Sequence, residues 1–181
     1  MTLVERGGNF DDPAFRAWFG NSKVVDASGQ PLVVYHGTSK NFDTFKLPGR
    51  AGSGGNAIFF ATEPSTANYF THGAKNARVI PAYIRMENPF DFRNPQHVTA
   101  LKAFVAKNFR QLFPGALFGP NFVLDEIDDG DYGVLEKPLV RRWMRRRGFD
   151  GFWTRENRWS PVTLGVFDPS QIKSAIHRAS A

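Results

Sequence analysis

Two short apolar runs, one ending on a histidine and the other feeding a helix, constrain this chain more than any other part of it. The first, Leu32-Val33-Val34-Tyr35, stops on His36-Gly37-Thr38. The second, Ala57-Ile58-Phe59-Phe60-Ala61, is followed by Pro64-Ser65-Thr66-Ala67-Asn68-Tyr69-Phe70. Short runs rich in β-branched and aromatic side chains predict strands. Proline in the first turn predicts a helix from residue 64, capped by Thr62 or Glu63. A glycine-rich stretch, residues 49–56, joins the two regions. It lacks a glycine motif followed by Lys-Ser/Thr, so it is not a P-loop. It reads either as a surface loop or, given what lies on each side, as a mobile flap over a bound dinucleotide.

The flanking segments read as alternating strands and helices. Residues 1–11 form a loose arm. Asp11-Asp12-Pro13 start a helix that Gly20 stops, with Phe15, Trp18 and Phe19 as its buried stripe. Residues 24–26 and 31–35 predict a hairpin. Phe42 and Phe45 are expected to anchor the loop behind them. Residues 78–86 predict a strand whose Pro81 argues for an edge or a bulge, and Asn88-Pro89 break it. Apolar residues at 98, 101, 104, 105 and 109 predict an amphipathic helix. Residues 110–133 read as a turn-rich, solvated acidic loop without calcium-ligand spacing. A helix over 134–147 follows, with Leu135, Leu139 and Trp143 on one face, arginines at 141, 142, 145, 146 and 147, and Gly148 as its stop. A strand near 149–155 and a last strand over 162–167 close the pattern. No repeat or linker divides the chain, so one domain over 1–181 is expected.

Composition removes several function classes. The chain has no cysteine, which excludes disulfides, thiolate metal sites and a cysteine nucleophile. Its four histidines lie far apart in sequence, with no paired metal-ligand spacing. No Gly-x-Gly-x-x-Gly follows a strand, which removes a Rossmann dehydrogenase. The polar first ten residues are not a secretory signal and no apolar run spans a membrane, so a cytoplasmic chain, without membrane contact, is expected. The net charge of +6 suits nucleic acid, an acidic protein or a dinucleotide pyrophosphate, and its sign does not choose among them.

The pieces His36-Gly37-Thr38, Ile58-Phe59-Phe60-Ala61 and Thr66-Ala67-Asn68-Tyr69 resemble, in this order, the core of ADP-ribosyltransferases, above all the poly(ADP-ribose) polymerase-like and phage-associated members. The run from Ser22 to Thr38 and the ending Val166-Phe167-Asp168-Pro169-Ser170-Gln171-Ile172-Lys173-Ser174 resemble the entry and closing segments of such domains in phage polyvalent proteins. The resemblance covers about residues 12–176. It implies an α+β fold: a split β-sandwich of two small, mostly antiparallel sheets with flanking helices, NAD lying in the cleft under residues 46–56. It implies a mono-ADP-ribosyltransferase of phage-associated, toxin-like type, monomeric, with NAD as substrate and a macromolecular acceptor, protein ahead of nucleic acid. The producing or host cytoplasm is where it would act.

Splitting NAD at the nicotinamide–ribose bond develops an oxocarbenium-like sugar, so the site must grip nicotinamide, hold the ribose and place negative charge beside the cation. By resemblance, His36 bonds a ribose hydroxyl, with Gly37 and Thr38 bringing backbone to the carboxamide. Tyr69 stacks on nicotinamide and Thr66, three residues earlier on the same helix face, reaches its carboxamide. Phe59 stands where many relatives carry a second tyrosine, keeping the stacking surface without the hydroxyl, and Phe60 lies beside it. Where polymerase-type relatives place glutamate, this chain has Thr163, which carries no charge. Glu156, in the upstream strand, is the expected catalytic acid, with Glu126 and Glu136 as fallbacks. Two other readings stand: hydrolysis of NAD with water as acceptor, and a catalytically silent fold that binds a nucleotide or nucleic acid through residues 141–147.

Overall fold

Short apolar runs bury their side chains only by pairing edge to edge, and here the pairing collects seven strands into one sheet. The structure is a computed structural model, and it describes residues 12–42, 44–47, 57–131, 133–155 and 159–176. The strands are β1 (Val34–Thr38), β2 (Ile58–Ala61), β3 (Arg78–Ile84), β4 (Pro89–Asp91), β5 (Gly151–Arg155), β6 (Val162–Val166) and β7 (Ile172–Ser174). Their order across the sheet is β4-β5-β6-β2-β1-β3-β7. Only β4 and β5 run parallel; the other neighbours are antiparallel.

The expected two separate sheets are therefore linked into one. The link is narrow. β2 pairs with β6 along its whole length, Ile58 opposite Val166 to Ala61 opposite Thr163, and β1 pairs with β3 from Val34 opposite Ala82 to Thr38 opposite Arg78. Between β1 and β2 the ladder closes only at Tyr35 opposite Ala61. Beyond that pair the two strands part, and the His36 side chain bonds the Phe59 carbonyl instead.

Among the described residues, five α-helices accompany the sheet. α1 (Pro13–Phe19) follows its expected punctuation: the Asp12 carboxylate accepts from Ala14 N at 2.9 Å, and Gly20 closes the helix at φ +54°. α2 (Pro64–Tyr69) starts at its proline with Glu63 in the cap position, although no side chain caps it. α3 (Pro95–Leu112) is longer than the apolar pattern predicted, capped by Asn94 and interrupted in its dihedrals at Asn108.

Two expectations fail in the second half. Residues 110–133 are not simply a loop, because α4 (Pro120–Asp128) forms within them. Val123 and Ile127, four apart, are its buried stripe, while Asp125 and Asp128 are exposed and Glu126 is half-buried. The single helix expected over 134–147 is divided: Gly133–Glu136 is a 3₁₀ turn and α5 runs Pro138–Arg146. Pro138 lacks an amide hydrogen and pushes Lys137 out of the helical region, to φ −67° and ψ 127°.

Tertiary pairing also redirects the N-terminal hairpin. Residues 24–31 make only an isolated bridge, Val25 opposite Pro31, and β1 then pairs elsewhere. Pro81 sits inside the sheet, opposite Tyr35, where β7 no longer covers β3 with a full ladder. Its carbonyl still accepts from Ala175 N at 3.0 Å, so its missing N–H falls at the end of the β3–β7 ladder and not on a free edge. The core splits between the faces. Ala57, Phe90 and Phe152 pack with α3, α4 and α5 on one side, and Val24, Val34, Phe60, Ile84 and Leu164 pack on the other. Phe15 and Phe19 of α1 cover Tyr83 in a third cluster. Among the described residues, no helix is long and apolar enough to cross a membrane.

Candidate active site

The site builds outward from β1, because strand alternation gives His36 and Gly37 opposite duties. The His36 ring enters a set of aromatic rings: Phe45 at 5.3 Å, Phe60 at 5.5 Å and Phe42 at 6.2 Å between centroids. Phe42 and Phe45 also contact each other at 5.1 Å. The two residues expected to anchor a loop thus do so by enclosing the histidine. Burial among these rings pushes the His36 pKa below its ordinary value, against the opposing pull of the Phe59 carbonyl. That carbonyl oxygen lies 2.8 Å from Nδ1 and only accepts, so Nδ1 donates. His36 is then neutral at pH 7, and Nε2 is left as an acceptor.

Gly37 is required for a different reason. A Cβ there would lie 1.8 Å from the Ala67 carbonyl oxygen of α2. The helix packs directly on the strand backbone, which fixes Thr66 and Tyr69 relative to β1. Thr66 is half-buried, and Tyr69 is 73% exposed, its ring edge-on to Phe70 at 5.8 Å. Thr38 ends β1 and its Oγ1 accepts from Lys40 N at 3.1 Å.

Phe59 and Phe60 diverge. Phe60 is buried against His36, whereas Phe59 turns to the helical face and meets the Phe152 ring at 5.5 Å. Thr163 is buried on β6 between Ala61 and Thr154, its hydroxyl 3.5 Å from the Thr154 carbonyl.

Glu156, the expected acid, lies outside the described residues, as do residues 48–56 of the expected flap. The strand that leads into Glu156 is well defined. At its end, Arg155 N donates to the Gly130 carbonyl at 2.8 Å, and Thr154 Oγ1 donates to the same oxygen at 2.8 Å. The backbone of Asp131 bridges to Arg155. Both fallback carboxylates, Glu126 and Glu136, feel the charge of Asp131. Burial raises the pKa of Glu126, with Asp131 adding repulsion. Burial raises Glu136 as well, against the attraction of Arg141 and Lys137. Burial also raises Asp131, which neither spacing nor motif had singled out. The sequence signal for that grouping is the acidic run at 125–131, which only the bonding of residues 130–131 to the end of β5 interprets.

The arginine patch expected over 141–147 loses one member. Arg141 is 3% exposed, its Nε donating to the Leu135 carbonyl at 2.8 Å. Its two terminal nitrogens have no partner, and burial drives its pKa down to about 10. Arg142, Arg145, Arg146 and Arg147 remain exposed.

Comparison with known proteins places these features in one frame. No curated protein and no solved structure matches the chain. The family model described as ADP-ribosyltransferase in polyvalent proteins matches residues 26–181. That span takes in His36-Gly37, β2, α2 and the closing strands, and the chain belongs to this ADP-ribosyltransferase family.

Proposed function

We propose that the protein is an NAD-dependent mono-ADP-ribosyltransferase that breaks the nicotinamide–ribose bond and transfers ADP-ribose to a macromolecular acceptor, protein ahead of nucleic acid. The observation that carries this reading is the state of His36. It is a neutral imidazole, held through Nδ1 and enclosed by aromatic rings, with an Nε2 acceptor suited to a ribose hydroxyl. Family membership supplies the reaction class.

In this reading His36 orients the dinucleotide and transfers no proton. Backbone of Gly37 and Thr38 and the Thr66 hydroxyl hold the carboxamide, and the exposed Tyr69 ring stacks on nicotinamide. Phe60 acts through His36 by fixing its ring, and Phe59 lends apolar surface from β2. Glu156 supplies the negative charge that the developing ribose cation needs. Nicotinamide leaves from a pyridinium as a neutral molecule, so no general acid is required for its departure. A phage-associated effector acting in a host cytoplasm is consistent with the family.

The test is nicotinamide release from NAD by purified protein, with and without host lysate, in the wild type and in His36→Ala and Glu156→Gln. Release that rises with lysate and falls at least about a hundredfold in both variants is the expected result, in line with loss of one electrostatic stabiliser. Release that ignores lysate identifies a hydrolase. Tight NAD binding without release under either condition rejects the transferase reading.

A further inference from the structure

The helical face carries a surface that nicotinamide chemistry does not use. α3 and α5 lie side by side in opposite directions. Phe104 of α3 stacks on Trp143 of α5 at 5.2 Å. At the other end, Lys137 Nζ lies 4.6 Å over the ring of Phe113, just past the end of α3. Aromatic rings continue outward from there: Phe113 on Phe109 at 5.3 Å, Phe118 at 5.9 Å from Phe113, and Phe122 at 5.3 Å from Phe118. At the opposite end the Arg147 guanidinium lies 4.9 Å over Trp143. The outermost rings are open: Phe118 is 42% and Phe122 56% exposed.

Cations accompany this strip. Lys107 and Arg110 are exposed on α3, as are Arg142 and Arg146 on α5. Arg93 pairs with Asp91 and Lys102 with Asp128, and among the described residues no carboxylate pairs with Lys107, Arg110, Arg142 or Arg146. The carboxylates of α4 border the strip on one side, and Lys102 holds Asp128. A phosphate backbone needs unpaired cations along a track, and bases need open aromatic faces beside it. The strip supplies both. A duplex hides its base faces, so the open rings of Phe118 and Phe122 suit unpaired bases.

We propose that the α3–α5 face binds single-stranded nucleic acid, with phosphates along Lys107, Arg110, Arg142 and Arg146 and bases on Phe118 and Phe122. Binding here is independent of the transferase reading, because none of these residues belongs to the site around His36.

The test is fluorescence anisotropy of the full chain with labelled oligo-dT and oligo-U of about 16 nucleotides, the upper end of ordinary single-strand site sizes, and with a duplex of equal length. Single strands are expected to bind, with a slope of log K against log salt near −2 to −3, or about −0.7 for each of three or four phosphates. Arg142→Glu with Arg146→Glu should weaken binding more than about tenfold and flatten that slope by roughly 1.4. Phe118→Ala with Phe122→Ala should weaken it at least about thirtyfold and leave the slope unchanged. All four positions are exposed, and a thermal melt checks that each variant folds. Absence of binding at low salt overturns the proposal. So does duplex binding of equal strength that ignores the phenylalanine variants. A rise in mass by light scattering, abolished by the phenylalanine variants and accompanied by no oligonucleotide binding, makes the surface a contact between copies and also overturns it. Nicotinamide release, assayed on the same samples, reports separately on the transferase reading.

Discussion

His36 shows how one residue's surroundings decide its chemistry. Its aromatic enclosure favours the uncharged ring, and one fixed hydrogen bond selects the tautomer. The folded pKa lies below the ordinary value near 6.5. Above that value the ring is neutral in both folded and unfolded chains, and folding gains nothing from it. As pH falls below about 6.5 the unfolded chain takes the proton first, so stability declines until the folded pKa is passed. His97 shifts the same way, with burial outweighing the attraction of Asp91, and adds to the same window. An NMR titration should give a His36 midpoint below 6.5, and His36→Ala should reduce the loss of stability between pH 7 and 5. A midpoint above 6.5 would sink this account of the ring. The histidine's position was legible from Leu32-Val33-Val34-Tyr35-His36-Gly37. Its cage was not, because Phe42, Phe45 and Phe60 reach it from separate segments.

At the scale of elements, the contact between β1 and α2 is the closest fit in the site. A side chain at residue 37 would meet the Ala67 carbonyl at 1.8 Å, and backbone cannot yield as a flexible side chain can. Gly37→Ala should therefore cost at least about 2 kcal/mol, the upper part of the range for overpacking, measured by urea denaturation. A cost below about 0.5 kcal/mol would mean that α2 moves freely and does not position Thr66 and Tyr69. Sequence reading found both elements from their periodicity and proline. It assigned Gly37 to close approach of a ligand, and the structure adds a second demand for glycine there, a helix packed where a side chain would stand. Pro120 and Pro138 mark helix starts that the sequence reading passed over, because the charge run around α4 masked its two-residue apolar stripe and the apolar pattern ran on from Val134.

The whole molecule is closed by a residue whose local capping box with Asp168 is only half of its role. Gln171 is buried in the short 3₁₀ turn Pro169–Gln171 and joins three distant segments. Its Nε2 donates to the carbonyls of Arg85 at 3.0 Å and Asp150 at 2.9 Å. Its Oε1 accepts from Phe167 N at 3.2 Å and Asp168 N at 2.9 Å. Gln171→Ala strands four backbone groups, and at about 1–3 kcal/mol for each one left unsatisfied, with partial rescue by water, the expected loss is about 3 kcal/mol. For a chain of this size that lowers Tm by roughly 6–12 °C, which calorimetry reads directly. A shift under 2 °C would show those groups to be solvated already.

The sequence by itself determined most of the strands, the starts of α1 and α2, the aromatic character of the core, the absence of thiol chemistry and the ordered motifs that place the chain in its family. These follow from side-chain period, caps and prolines, which act within a few residues. Only the tertiary structure decided that β1 pairs with β3 and touches β2 at one point, that Arg141 is buried while Arg142, Arg145, Arg146 and Arg147 are exposed, and that Asp131, whose charge bears on Glu126 and Glu136, bridges to the end of the strand leading to Glu156. Each depends on contacts between residues far apart in the chain, where burial and neighbouring charge, not local pattern, set the free energy.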